Sequence, residues 1–333
     1  MLDRHAVKSR PTWREIPGPA CRETVDRHRV NYAAFFSKCF GKAARTAQEQ
    51  EECAADQEYV MSAPVQKLRA RYPVLVEAGT IRGVSITTLI PVGAVSPTNR
   101  RRILIDVAGR DITDGLRGQG ESIGIVGVGK IKVVSINDHQ TGSYSEVPTK
   151  QRLETVYRAL LQQYKPNNIG VFGCSGGRLE EMAWLQKQGL PMPGAIAVLT
   201  APPFATTRRG DSMNLYHTAL TGELPPSNRQ TSVAPTFPPE LTRQVLANTP
   251  DILFISGTRD PFLSSNAVAQ ATLENLGVRT ELHVWEGMEH GVLLFPDLPE
   301  SQEVSAVVAK FFEEHLGRTR HRKESISPEN TPP

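Results

Sequence analysis

The stretch that most constrains this chain runs from residue 169 to residue 189. Residues 169–172 are apolar and β-branched or aromatic, broken once by Gly170, and read as a short buried strand. Gly173-Cys174-Ser175-Gly176-Gly177 follows and spells Gly-x-Ser-x-Gly. Residues 178–188 are good helix formers with a stop at Gly189. Strand, tight turn and helix in that order hold the serine at the tip of a sharp bend. Only small neighbours can pass close to such a tip, which calls for glycine on both sides. The following helix aims its positive end and its free N–H groups at any oxygen reacting there. A glycine-rich β–α turn with an incidental serine would carry the same letters, so the motif needs partners elsewhere in the chain.

The periodicity around this stretch fixes the fold class. Strands are predicted at 74–78, 84–90, 102–107, 131–136, 195–199, 251–256 and 281–285, and helices at 149–164, 178–188, 264–276 and 301–315. Short apolar strands alternating with helices predict an α/β fold: a mostly parallel central sheet with helices on both faces. At 333 residues the chain has material for one large α/β domain with insertions, or for two smaller domains. Residues 202–248 break the alternation, being rich in Pro, Thr, Ser and Arg. A structureless loop of that length is uncommon in a compact domain, so the segment reads as an insertion covering a site. Residues 21–66 are helix-rich, and Tyr32, Phe35, Phe36 and Phe40 suit packing onto the main domain or a place in a lid. Residues 317–333 are polar and proline-punctuated and read as a disordered tail.

Composition excludes several classes of function. A net charge of +3 gives no case for nucleic acid. No apolar run approaches the length of a membrane span, and residues 1–20 lack the apolar centre of a signal peptide, so a cytoplasmic protein is expected. Cys21, Cys39, Cys53 and Cys174 form neither a Cys-x-x-Cys pair nor metal-type spacing, which predicts reduced thiols and no metal. Gly124 to Ile131 nearly spells a phosphate loop, but Ile131 stands where a hydroxyl is needed and a strand follows instead of a helix. That segment reads as a helix end and a turn into a strand.

A serine hydroxyl is a poor nucleophile until a base takes its proton. Where the nucleophile sits on such an elbow, the chain order is Ser, then Asp or Glu, then His. Asp260 follows the predicted strand 251–256 in Ser-Gly-Thr-Arg-Asp-Pro-Phe, and His290 follows 281–285 in Glu-Gly-Met-Glu-His-Gly-Val. Both loops lie just beyond strand C-termini, where open α/β sheets bind their ligands. Alone, Asp260 also fits a helix N-cap ahead of Pro261, and His290 an exposed turn. With Ser175 the two complete a nucleophile, base and orienting carboxylate.

These stretches, with Val133-Val-Ser-Ile-Asn-Asp-His, resemble the hormone-sensitive-lipase-like branch of the α/β-hydrolase esterases over about residues 75–316. The resemblance implies an α/β-hydrolase core at 72–316, and a serine carboxylesterase that uses no cofactor and acts on a small-molecule ester. It also implies a cap built from residues 1–71 and an insertion at about 203–248. The family's His-Gly-Gly-Gly after its oxyanion strand is replaced here by Val107-Ala108-Gly109-Arg110. The oxyanion hole implied is then the backbone N–H groups of Ala108, Gly109 and Gly176. The elbow also departs from the family's Gly-Asp-Ser-Ala-Gly, with Cys174 and Gly176 in place of Asp and Ala. Cys174, just before the serine, is expected to point into the fold as a small buried thiol. Lactone or peptide hydrolysis would use the same apparatus, and a non-catalytic ligand-binding protein is the alternative from another class.

Overall fold

The computed structural model describes residues 62–107, 119–136, 139–140, 143–144, 148–174, 178–203, 210–221 and 242–318. A helix over 62–71 (α1) leads into a hairpin, β1 (Val74–Ile81) and β2 (Val84–Pro91). Then come β3 (Ile103–Val107), α2 (Gln119–Gly129), β4 (Val133–Ile136) and a small ribbon of β5 (His139–Gln140) and β6 (Ser143–Tyr144). These lead to α3 (Thr149–Leu160), β7 (Ile169–Cys174), α4 (Arg178–Lys187) and β8 (Ala195–Leu199). The described chain continues through α5 (Asp211–Thr221), α6 (Arg243–Ala247), β9 (Asp251–Gly257), α7 (Leu263–Asn275), β10 (Thr280–Trp285) and α8 (Pro299–His315).

Eight strands form one sheet in the order β1-β2-β4-β3-β7-β8-β9-β10. The pairs β1/β2 and β2/β4 are antiparallel and all others are parallel. The central strands are buried on both faces, which explains their unbroken apolar runs. Along β3, β7, β8 and β9 alternate side chains enter two different cores. Leu104, Phe172, Ala197 and Leu253 pack with Ile123, Val304 and Phe312 from α2 and α8. Ile105, Val171, Ile196 and Phe254 pack on the other face with Val156, Leu179 and Leu273 from α3, α4 and α7. Each of the Leu, Ile, Val and Phe side chains contributes roughly 1.5–3 kcal/mol by leaving water, so a one-residue slip in register is strongly disfavoured.

This order sets a topological switch point in the middle of the sheet. From β3 the chain goes to β4 on one side, and then returns to β7 on the other. The direction of winding therefore reverses between β3 and β7, the kind of position at which open α/β sheets bind their ligands.

The expected α/β architecture is what the chain adopts, with shifts at element ends. β7 runs two residues beyond the predicted 169–172, because Gly173 and Cys174 still pair with Val198 and Leu199 of β8. α3 closes at Leu160, four residues before the predicted end, ahead of the extended Lys165 that Pro166 imposes. The segment leading into the near phosphate loop is α2 followed by β4, as a helix end and a turn. Among the described residues of 202–248 are the helices α5 and α6, which the weak periodicity did not announce.

Candidate active site

The strand carrying the Gly-x-Ser-x-Gly motif ends at Cys174, and α4 begins at Arg178. Ser175, Gly176 and Gly177 lie outside the described residues, as do Ala108, Gly109 and Arg110. The approach to the turn is nevertheless explained by its first glycine. A Cβ on Gly173 would sit 2.3 Å from the Val107 carbonyl oxygen, so any larger residue would push β7 away from β3. Cys174 is buried at 7% exposure in the α2/α8 core, the inward thiol that its position implies.

Asp260 and His290 come together at the ends of β9 and β10. The two loops are laced by backbone contacts. Thr258 N–H donates to the Trp285 carbonyl at 3.0 Å and Arg259 N–H to the Met288 carbonyl at 3.0 Å. Gly287 N–H donates to Thr258 Oγ1 at 2.7 Å. Gly257 permits this approach, since a Cβ there would lie 2.0 Å from the Met288 carbonyl oxygen. The result places His290 Nδ1 3.5 Å from Asp260 Oδ1. Asp260 is fully buried, while 14% of the His290 side chain is exposed. The Ser256 hydroxyl donates to Asp260 Oδ2 at 2.7 Å, and Phe262 N–H donates to Oδ1 at 3.2 Å. The carboxylate is thus held from two sides. The helix itself is capped by Phe262, so Asp260 stands two residues before the N-cap and not at it. The Phe262 ring meets the imidazole edge-on at a centroid distance of 5.3 Å. With Nδ1 turned to the carboxylate, the opposite nitrogen of the ring faces away from it, the arrangement that lets an imidazole move a proton on its other side.

Next to Cys174, at the end of β7, lies a buried cluster of ionisable side chains. Glu121, on the first turn of α2, accepts the Cys174 N–H at 2.8 Å through Oε2. Asp106, the last residue but one of β3, accepts hydroxyls from Ser122 at 3.0 Å and Ser135 at 2.9 Å, both on Oδ2. Among the described residues, the second oxygens, Asp106 Oδ1 and Glu121 Oε1, have no hydrogen-bond partner. Burial drives the Asp106 carboxyl up to about 7, against the pull of Ser135, Ser122 and the Arg178 charge. Burial, followed by the charge of Asp106, drives Glu121 well above the usual carboxylate range. Arg178, 1% exposed at the head of α4, donates to Glu181 at 2.9 Å and lowers both carboxyls by its charge.

Thr200, just past β8, completes the surroundings. Its φ is +42° and it is 1% exposed. Oγ1 accepts the N–H of Gly291 at 3.0 Å and lies 3.2 Å from Cys174 Sγ.

Sequence reading did not single out Asp106, Glu121, Arg178 or Thr200. One signal was present, since an aspartate inside Ile-Leu-Ile-Asp-Val must find partners if that run is a buried strand. Among the described residues no group of three or more His, Cys, Asp or Glu side chains is arranged to hold a metal ion. No described helix is long and apolar enough to cross a membrane.

A mixed eight-stranded sheet with antiparallel first strands, and an acid and a histidine on successive strand-end loops, is the architecture of the α/β-hydrolase fold. Sequence comparison agrees: residues 149–294 match the family model described as the alpha/beta hydrolase fold, a span that includes Ser175, Asp260 and His290. A search among curated proteins finds no match. Among solved structures, the chain is similar to the esterase E25 at 24% identity, covering 91% of this chain and 97% of that one, with a TM-score of 0.70. It is also similar to an esterase from the bacterial hormone-sensitive lipase family, at 16% identity, 91% and 100% coverage and a TM-score of 0.66. A third is EstE5 soaked with p-nitrophenyl butyrate, at 17% identity, 86% and 97% coverage and a TM-score of 0.61.

Proposed function

We propose that the protein is a serine carboxyl-ester hydrolase. Ser175 attacks the ester carbonyl, His290 takes its proton and returns it to the leaving alcohol, and Asp260 holds the imidazole in the required tautomer. Water then enters on the same base and releases the acid from the acyl-enzyme. The observation that carries this reading is the Asp260–His290 pair, 3.5 Å apart at adjacent strand ends, with the carboxylate fully buried. A buried carboxylate beside an imidazole has no structural need of that histidine, since Ser256 and Phe262 already satisfy it. The oxyanion is taken by the backbone N–H groups of Ala108, Gly109 and Gly176, each worth roughly 3–4 kcal/mol in the transition state.

Residues 1–71 and about 203–248 form the cap over this pocket in the same reading. Three observations support it. Within the insertion, Ser212 on α5 and Ser264 on α7 exchange backbone-to-hydroxyl hydrogen bonds at 3.1 and 2.9 Å, which ties the insertion to the helix that follows Asp260. α5 also presents Leu215 at 70% exposure, an apolar side chain available to an apolar substrate. At the other segment's end, α1 is packed on the body through Val65 and Leu68, and Arg71 donates to the Pro296 carbonyl at 2.7 Å.

The test is steady-state hydrolysis of p-nitrophenyl esters over a range of acyl lengths, butyrate first because EstE5 has been soaked with that ester. Hydrolysis that disappears in Ser175→Ala and survives chelator supports the reading. A Ser175→Ala protein that hydrolyses at the parent rate refutes it.

A further inference from the structure

We propose that Thr200 is a positioning residue, whose hydroxyl fastens the loop carrying His290 to the end of the strand carrying Ser175 and so sets the spacing of base and nucleophile. The inference rests on the ester-hydrolase reading above. Thr200 occupies the one strand end that touches both sides. Leu199, before it, pairs with Cys174 of β7 on one flank and with Ile255 of β9 on the other. The Thr200 N–H extends the second ladder by donating to the Ile255 carbonyl at 2.8 Å. Its side chain then reaches sideways. Oγ1 accepts the N–H of Gly291, the residue after His290, and contacts the thiol of Cys174, the residue before Ser175. One hydroxyl therefore joins the covalent neighbours of the two reacting side chains.

The backbone argues that the side chain is the reason for the residue. At φ +42° a β-branched residue is a rare outlier, and glycine or asparagine would make the same turn with less strain. Strain of this kind persists where the surroundings hold it for a purpose. The hydroxyl chemistry also fits. A threonine Oγ1 has two acceptor sites and one donor, so it accepts from Gly291 and still pairs with the thiol in either direction. Burial at 1% keeps water from substituting for it. Gly291 has φ +75°, so its backbone turns sharply at the point where the bond is made.

The experiment compares the parent with Thr200→Val, Thr200→Ser and Thr200→Gly. It reads kcat and KM on p-nitrophenyl butyrate, the rate of phosphonate labelling of Ser175, and the urea midpoint. Valine keeps the shape and the strained turn but leaves the Gly291 N–H facing a methyl group. Its kcat and labelling rate are expected to fall roughly 10- to 100-fold, as for a sub-ångström to ångström misplacement of reacting groups, with KM within about twofold. Serine restores the hydroxyl and returns kcat to within about threefold of the parent. Glycine relaxes the backbone without a hydroxyl, so it remains as slow as valine while unfolding at the same or higher urea. Parent-like kcat in the valine or glycine variant, or serine failing to restore it, overturns the proposal. If valine does not give a cooperative unfolding transition, the glycine and serine variants decide. An active parent with an indifferent Thr200 counts against this residue alone, whereas a parent that neither hydrolyses esters nor labels overturns this inference together with the ester-hydrolase reading.

Discussion

Replacing Asp106 by Asn should flatten the pH dependence of stability, and the size of the effect follows from where the carboxyl sits. Asp106 is fully buried, and burial raises its carboxyl from 3.8 to about 7. In the unfolded chain the group releases its proton near 3.8, while in the folded protein it keeps it to about 7. Between these values the folded state binds more protons than the unfolded one, so stability falls as pH rises. At 1.36 kcal/mol per pH unit, the interval from 3.8 to about 7 corresponds to a loss on the order of 4 kcal/mol. Glu121 adds a loss of the same sign, since burial and then the charge of Asp106 raise it too. An asparagine oxygen can still accept both serine hydroxyls that reach Oδ2. The variant therefore keeps the contacts, loses the buried charge and relieves Glu121. The assay is urea unfolding of parent and Asp106→Asn at half-unit steps from pH 4.5 to 8, compared as the difference between the two at each pH. That comparison cancels groups that are unchanged. The difference should grow in favour of the variant as pH rises, with equal m-values. Two curves that run parallel across the range would refute the account of a buried, raised Asp106.

Other outcomes follow from named contacts. Asp260→Asn should lower kcat by about a thousandfold or more with little change in KM, because the imidazole loses the carboxylate that selects its tautomer, and ester hydrolysis at saturating substrate measures this. Gly257→Ala would bring a Cβ to 2.0 Å from the Met288 carbonyl oxygen; it should cost about 1–3 kcal/mol in urea unfolding and slow hydrolysis by displacing the His290 loop. At the far edge of the sheet, His315 lies 2.7 Å from Asp251 and 3.4 Å from Glu281, and His283 lies 3.3 Å from Glu281. Burial pulls the His315 imidazole down, but the hydrogen bonds and charges of Asp251 and Glu281 outweigh it and leave the group raised. The His283 and His315 contacts lower Glu281 to about 2. The histidine's contribution is complete below 6.5 and fades as pH climbs through its raised folded-state value, while that of Glu281 is complete above 4.5 and fades as pH drops towards about 2. Glu281→Gln should therefore cost about 1 kcal/mol or less near pH 5.5, allowing for partial exposure, and clearly less at pH 9, by urea unfolding at both.

The sequence made some parts of this molecule legible and hid others for physical reasons. Ser175 was read from its Gly-x-Ser-x-Gly setting, and Asp260 and His290 because each follows an apolar run of the kind that buried strands leave in a sequence. Asp260 and His290 are brought together by the Thr258 and Arg259 N–H bonds to the Trp285 and Met288 carbonyls and by the Gly287 N–H bond to the Thr258 hydroxyl, none of which a motif announces. The buried cluster next to Cys174 was not legible. Glu121 and Cys174 are 53 positions apart, and nothing local tells a glutamate in the first turn of a helix that its partner is a distant backbone N–H. Thr200 was hidden for a related reason: its positive φ and its two-sided hydroxyl contact exist only once β7, β8 and the His290 loop have assembled. The helix α5 was missed because its burial is partial, with Leu215 exposed, so no apolar stripe marks it.

The central claim is that Ser175, His290 and Asp260 act as one hydrolytic unit. Its most direct measurement is covalent labelling of the intact protein by a fluorophosphonate, with the modified residue located by mass spectrometry of its peptides. The account predicts a single adduct on Ser175 in the parent, labelling slowed by orders of magnitude in His290→Ala, and loss of p-nitrophenyl butyrate hydrolysis in step with labelling. An adduct on a different residue, or Ser175 labelling that proceeds at the parent rate without His290, would contradict it.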